Sequence, residues 1–173
     1  DSGITVFAVL APSALQPGLP FFFDFGDWAN HEYAFMYDYK SYGSAVCWNY
    51  GGGGVLNDSQ AMYGHANGTN PVVYTGVIRF TDRTIVRING KEQTSGSRAK
   101  ISNIRGLTAA ELTDSATQTG GAGPVVIGGQ SKAINAARSY QGAIAEIRWY
   151  SAGLTDAQCS TIENELYKKY IKP

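Results

Sequence analysis

The chain has 173 residues and carries 14 basic and 14 acidic side chains, so its formal net charge is zero. That excludes the basic excess expected of a nucleic-acid or anionic-membrane surface. Only 16% of residues are charged, whereas 12% are aromatic and 21 are glycine, which favours strands and loops over helices.

The length fits one domain spanning 1–173. No apolar run is long enough to cross a bilayer, so membrane insertion is not expected. The chain begins at Asp1 without a signal peptide, and is expected to be a processed form or an excised module.

Residues 4–10 form a nearly unbroken apolar run, the pattern of a strand buried on both faces. Ala11-Pro12 stops it, and Gln16-Pro17-Gly18 supplies a turn. A second strand is expected over 21–25, then a loop over 28–32. Residues 33–39 read as a third strand, with Tyr33, Phe35, Tyr37 and Tyr39 on one face, as a core stripe or a stacking platform. Residues 44–50 read as a fourth, ended by four glycines at 51–54. The stretch 55–70 gives only a weak signal and is expected to be a loop, and 71–80 is expected to be a long strand. The clearest hairpin follows: 84–88, then Asn89-Gly90, the preferred pair of a type I′ turn, then 91–94. The polar stretch 95–123 has capping-box spacing at Thr108 and Glu111, so a short helical turn is expected there. A short strand over 125–129 and a loop over 131–139 complete the middle.

The last segment is the most informative. In 142–150, Ala143, Ala145, Ile147 and Trp149 alternate with Ile144, Glu146, Arg148 and Tyr150. The first set is wholly apolar, and the second holds a carboxylate and a guanidinium two residues apart. Thr155 and Gln158 have capping-box spacing, which predicts a helix from 155 to about 170. Cys159, Ile162, Leu166 and Tyr170 form its apolar stripe, and Lys168, Lys169 and Lys172 sit at the end where the helix dipole favours cations. These elements predict an all-β fold, an antiparallel two-sheet β-sandwich with a C-terminal helix.

Four segments, 4–12, 83–92, 125–129 and 140–170, carry a family resemblance. In order and spacing the chain resembles the laminin-G-like, concanavalin-A-like jelly-roll domains of bacteria and phages. The last segment is the most specific: a Gly-x-Ile-Ala-Glu strand leads through Leu154-Thr155-Asp156-Ala157 into a helix closing with Lys169-Tyr170. The resemblance implies two packed antiparallel sheets but no single function. Such domains usually place a further strand before the one at residue 4. The resemblance therefore implies that this strand was cut away or that a strand or covering segment is supplied from outside 1–173, for instance by a neighbouring chain; the alternative is that 55–70 or 95–123 folds over the edge.

Candidate chemistry is concentrated in two stretches. Asp27, Trp28, Asn30 and His31 offer an aromatic ring beside amide, imidazole and carboxylate groups, the set that covers a pyranose face and bonds its hydroxyls. Trp48, Asn49 and Tyr50, just before the glycine run, are the second set. The structural alternatives are a tryptophan that caps the core and a plain inter-strand loop. Calcium occurs in relatives implied by the resemblance, and Asp24, Asp27, Asn30 and Asp58 are the candidate oxygen ligands.

The Glu-x-Asp-x-x-Glu pattern of β-glucan hydrolases in this superfamily is absent, as are Gly-x-Ser-x-Gly, P-loop and His-Glu-x-x-His motifs. No enzyme is therefore expected. Cys47 and Cys159 are the only cysteines, and one disulfide or two buried thiols both remain open. Asn57 and Asn67 stand in N-glycosylation patterns. The expected function is a non-catalytic glycan-binding or adhesion module, extracellular, at a cell surface or on a virion, with a glycan or surface protein as partner. The alternative is a structural domain of a virion or cell appendage with no small ligand.

Overall fold

In a computed structural model, the protein is described over residues 3–13, 20–27, 31–37, 44–51, 59–64, 69–79, 84–93, 100–102, 125–129 and 136–172. Over 25–27, 31–34, 44–51, 59–64, 84, 100–102 and 136 the description is of the backbone. The strands are β1 (Gly3–Pro12), β2 (Phe21–Asp27), β3 (His31–Tyr37), β4 (Ser44–Gly51), β5 (Ser59–Gly64), β6 (Val72–Arg79), β7 (Thr84–Ile88), β8 (Lys91–Glu92), β9 (Lys100–Ser102), β10 (Val125–Ile127) and β11 (Gly142–Tyr150). A short 3-10 turn occupies Ala136–Arg138, and helix α1 runs over Asp156–Tyr170.

The strands make two antiparallel sheets, one ordered β11-β1-β6-β7-β8 and one ordered β10-β2-β3-β4-β5-β9. The five-stranded sheet is buried on both faces. On one face Val6, Ala8, Leu10, Tyr74, Ile78 and Val86 meet Phe22, Phe23 and Phe35 of the six-stranded sheet. On the other, Phe7, Val9, Val73, Val77 and Ile85 meet Cys159 and Leu166 of α1. The unbroken apolar run at 4–10 thus feeds two cores at once, as a two-sided strand requires. Of the tyrosine-rich stripe, Phe35 and Tyr37 are buried core residues. The sheets approach closely at Gly76, where an added Cβ would lie 2.7 Å from the Phe35 ring.

The closing segment folds as its pattern suggests, with one change of phase. A β-bulge opposite Val9 and Leu10 pairs Glu146 with Val9 and Ile144 with Leu10. Ala145 is the inserted residue, so Ile144 and Ile147 both pack on the inter-sheet core despite their odd spacing. The turn after β11 is pinned to the sheet. The Thr5 hydroxyl donates to the Ala152 carbonyl at 2.7 Å and accepts from the Leu154 N–H at 3.0 Å. Arg79 donates to the Leu154 carbonyl at 2.8 Å and to Asp156 at 2.7 Å.

Several boundaries differ from the sequence reading. The expected loop at 28–32 already becomes strand at His31, and the expected loop at 55–70 contains β5. Hydrogen bonding to β4 makes Ser59–Gly64 a strand although its alternation is weak. Strand β9 likewise lies inside the polar stretch 95–123, whereas Thr108 and Glu111 fall outside the described residues. Strand β1 is flanked on both sides, by β11 and β6, and among the described residues the edge of the sheet on the β11 side is β11 itself. Cys159 is a buried free thiol, which leaves no disulfide between Cys47 and Cys159.

Candidate functional site

Strand pairing brings the two polar-aromatic stretches to one end of the six-stranded sheet. Asp27 at the end of β2 pairs with His31 at the start of β3, and His31 pairs with Gly51 at the end of β4. The neighbouring rung is Gly26–Glu32–Tyr50. Farther in, Val126, Asp24, Ala34, Trp48, Gln60 and Ser102 form one rung across all six strands. With strands ~4.8 Å apart and residues ~3.4 Å apart along each, backbones more than twenty positions apart in sequence lie about 10 Å from one another.

The connections from β2 to β3 (28–30) and from β4 to β5 (52–58) both leave from this end. The chain also leaves β9 at Ser102 and re-enters β10 at Val125 there, on opposite edges of the sheet. Asp27, His31, Trp48, Asn49 and Tyr50 are therefore neighbours in backbone register. Trp28, Asn30 and Asp58 lie outside the described residues. Ser59 and Gln60 pair with Asn49 and Trp48 and join the same end. The sequence reading places both in the expected loop 55–70 and assigns them no role. Asp24 is fully buried in mid-strand rather than displayed on a loop. Among the described residues no group of three His, Cys, Asp or Glu side chains is placed to hold a metal ion.

The described carboxylates elsewhere do a different job. Arg87 of β7 donates from Nε to Glu163 Oε1 at 2.8 Å and from Nη2 to Glu163 Oε2 at 3.0 Å. Thr75 Oγ1 also donates to Glu163 Oε1, at 2.7 Å, and Arg87 further reaches the Gly90 carbonyl and Ser160. Burial pulls the Arg87 pKa down, but the hydrogen bond and charge of Glu163 outweigh it and leave the guanidinium above its ordinary value. Beside this pair lies a pocket of about 150 Å³ lined by Asn89, Gly90, Glu163, Asn164 and Tyr167. It holds one carboxylate, already bonded on both oxygens, whereas glycosidic cleavage needs two facing one bond.

On β11, Arg148 donates to Glu146 at 2.6 Å and to both oxygens of Glu165, at 3.0 and 2.7 Å. Glu146 also accepts from Tyr170 at 2.7 Å and Lys169 at 2.9 Å. Bonds from Tyr170, Lys169 and Arg148 hold its pKa at about 2, and Arg148 lowers that of Glu165. Carboxylates held ionised in this way are unsuited to proton donation. Burial pushes the Cys159 thiol up to about 11, which leaves it a poor nucleophile.

No family model matches the sequence, and no curated protein matches it. Solved structures do. The CBM40 module of the Ruminococcus gnavus IT-sialidase aligns with TM-score 0.65 at 12% identity, covering 94% of this chain and 83% of that one. The same module has been solved bound to α2,3-sialyllactose. Domain 4 of AbnA, a GH43 extracellular arabinanase from Geobacillus stearothermophilus, solved with arabinotriose, aligns with TM-score 0.56 at 17% identity, covering 94% and 68%. The heptameric SAP-like pentraxin from Limulus polyphemus aligns with TM-score 0.56 at 15% identity, covering 93% and 69%. At these identities the likeness is one of fold, the concanavalin-A-like jelly roll.

Proposed function

We propose that the chain is a non-catalytic glycan-binding module of the laminin-G-like branch of this fold, working outside the cell or on a cell or virion surface. One observation carries this reading: strand register collects Asp27, His31, Trp48, Asn49 and Tyr50, from two separate stretches, at one sheet end. Trp28 and Asn30 belong to the short connection between Asp27 and His31. In this reading Trp28 or Trp48 covers the C–H face of a sugar ring, and the amide, imidazole and carboxylate groups bond its hydroxyls. Sugar-bound relatives of the same fold, one with α2,3-sialyllactose and one with arabinotriose, support the ligand class. Calcium belongs to the proposal through Asp27, with Asn30 and Asp58 of the connecting stretches 28–30 and 52–58 as the further candidates and buried Asp24 the candidate set apart.

The test is a glycan array on the purified chain with and without calcium, repeated with Trp28→Ala and Trp48→Ala. Retained glycan binding in both variants sinks the site. No binding to any glycan sinks the function. A second reading, a structural domain that docks on a surface protein or takes a strand or covering segment from a neighbouring chain, is favoured by one feature. The large hydrophobic residues that are exposed among those described, Val125, Ile127 and Trp149, all lie on the edge strands β10 and β11.

A further inference from the structure

Strand β11 ends the five-stranded sheet and is nine residues long, and among the described residues no strand pairs with its outer side. Exposed edges of this length invite another strand, and proteins commonly guard them with charge. The charges here follow another pattern. Along β11, Glu146 and Arg148 flank Ile147 with opposite signs. The helix repeats the pattern at the same two levels: Glu165 bonds Arg148, and Lys169 bonds Glu146.

A two-fold axis through Ile147 would set two copies of β11 antiparallel, with Glu146 opposite Arg148 of the second copy and Arg148 opposite its Glu146. The same axis brings Glu165 to the level of Lys169 of the second copy. It also sets Trp149, 47% exposed, opposite the exposed, inserted Ala145, large against small. Moving the axis by one residue puts Glu146 against Glu146 or Arg148 against Arg148, which like-charge repulsion disfavours. One register is thus self-complementary and its two neighbours are not. The neighbouring edge strand β10 carries the other large exposed hydrophobics among the described residues, Val125 and Ile127. The Trp149 and Phe23 ring centroids lie 6.1 Å apart at a tilt of 55°, Ile127 pairs with Phe23, and Ile127 is 63% exposed.

We infer that the β11 edge is a homodimer surface on which a second copy of this chain pairs antiparallel about Ile147, joining the two five-stranded sheets into one. A two-fold contact is the commonest closed arrangement of soluble oligomers, and it uses the edge completely, leaving no further strand to recruit. The inference is independent of glycan binding, because the candidate sugar site lies at an end of the other sheet.

The experiment is sedimentation of the 173-residue chain over a wide concentration range, with Arg148→Glu, Glu146→Arg and an equimolar mixture of the two. The wild type is expected to pass from monomer to dimer as concentration rises. Each variant alone, facing like charges, should associate at least about tenfold more weakly. The mixture should recover association, since the two Arg residues of one chain then face the two Glu residues of the other. Hydrogen exchange on the wild type gives a readout that needs no variant: β11 amides should gain protection with concentration while β8, the opposite edge, does not change. A wild type that stays monomeric throughout overturns the inference, whatever other strand the edge accepts. Variants that still associate like the wild type, or folded variants whose mixture does not associate, also overturn it.

Discussion

Arg87 and Glu163 show how much a single buried pair can organise. Their side chains are 11% and 4% exposed, and the guanidinium reaches the hairpin turn, the helix and the carboxylate together. Truncating Glu163 to Ala leaves a buried cation unmatched, and the expected cost is ~3–5 kcal/mol by urea denaturation. Replacing both with Met and Leu should recover most of that loss, because a well-packed apolar pair avoids the desolvation of two charges. Glu146 makes a separate prediction through pH. Its folded pKa of about 2 lies below the ordinary 4.5, so its contribution is full above the unfolded value. That contribution is lost as pH falls from about 4.5 towards about 2. The melting-temperature gap between wild type and Glu146→Gln should therefore be open at neutral pH and close in this window. A gap that stays constant down to pH 2 contradicts the assignment.

At the scale of elements, the closing-helix cap and the Asn89-Gly90 turn that sequence spacing predicts are formed. Thr155 accepts from the Gln158 N–H at 3.3 Å, and Gln158 accepts from the Thr155 N–H at 2.9 Å. Thr155→Ala should cost ~1 kcal/mol, read as a shift in the denaturation midpoint with an unchanged slope. In the hairpin, Asn89 and Gly90 adopt φ of 51° and 77°, as the type I′ turn demands. The Asn89 side chain adds a bond accepted from the Val73 N–H at 2.8 Å, tying the turn to β6. An added Cβ on Gly90 would stand 3.5 Å from Glu163, an ordinary contact. Gly90→Ala should thus lose ~1–2 kcal/mol through the left-handed backbone alone. No measurable loss would mean that the turn relaxes without strain.

At the scale of the whole molecule, the division of labour between the sheets directs the functional prediction. The five-stranded sheet is covered by α1 on one face and by the second sheet on the other. The six-stranded sheet collects the polar-aromatic stretches at one end. Trp48→Ala should therefore weaken glycan binding, with a loss of ~1–3 kcal/mol if the ring is a central contact. Assays against sialosides, arabinans and β-glucans at high protein concentration should show no turnover that depends on a single Asp or Glu. Turnover abolished by one such substitution would make the chain an enzyme.

The fold class, the two-sided burial of residues 4–10, the Asn89-Gly90 turn and the capped closing helix were legible in the residues alone. Each is a local pattern whose physics lies within a few neighbouring residues: side-chain period, allowed φ, or a cap reaching three residues ahead. Tertiary structure decided the rest. Glu163 gains its partners only because β6 and β7 place Thr75 and Arg87 against it, 88 and 76 residues away. Strand β5 had too weak an alternation to stand alone, and pairing with β4 defined it. The bulge at Ala145 changed which isoleucines face the core, because register against β1 overrides a strict two-residue period. The meeting of Asp27–His31 with Trp48–Tyr50 depended on the order in which strands join a sheet. That order is set by which apolar faces find each other across long stretches of chain, and no local window contains it.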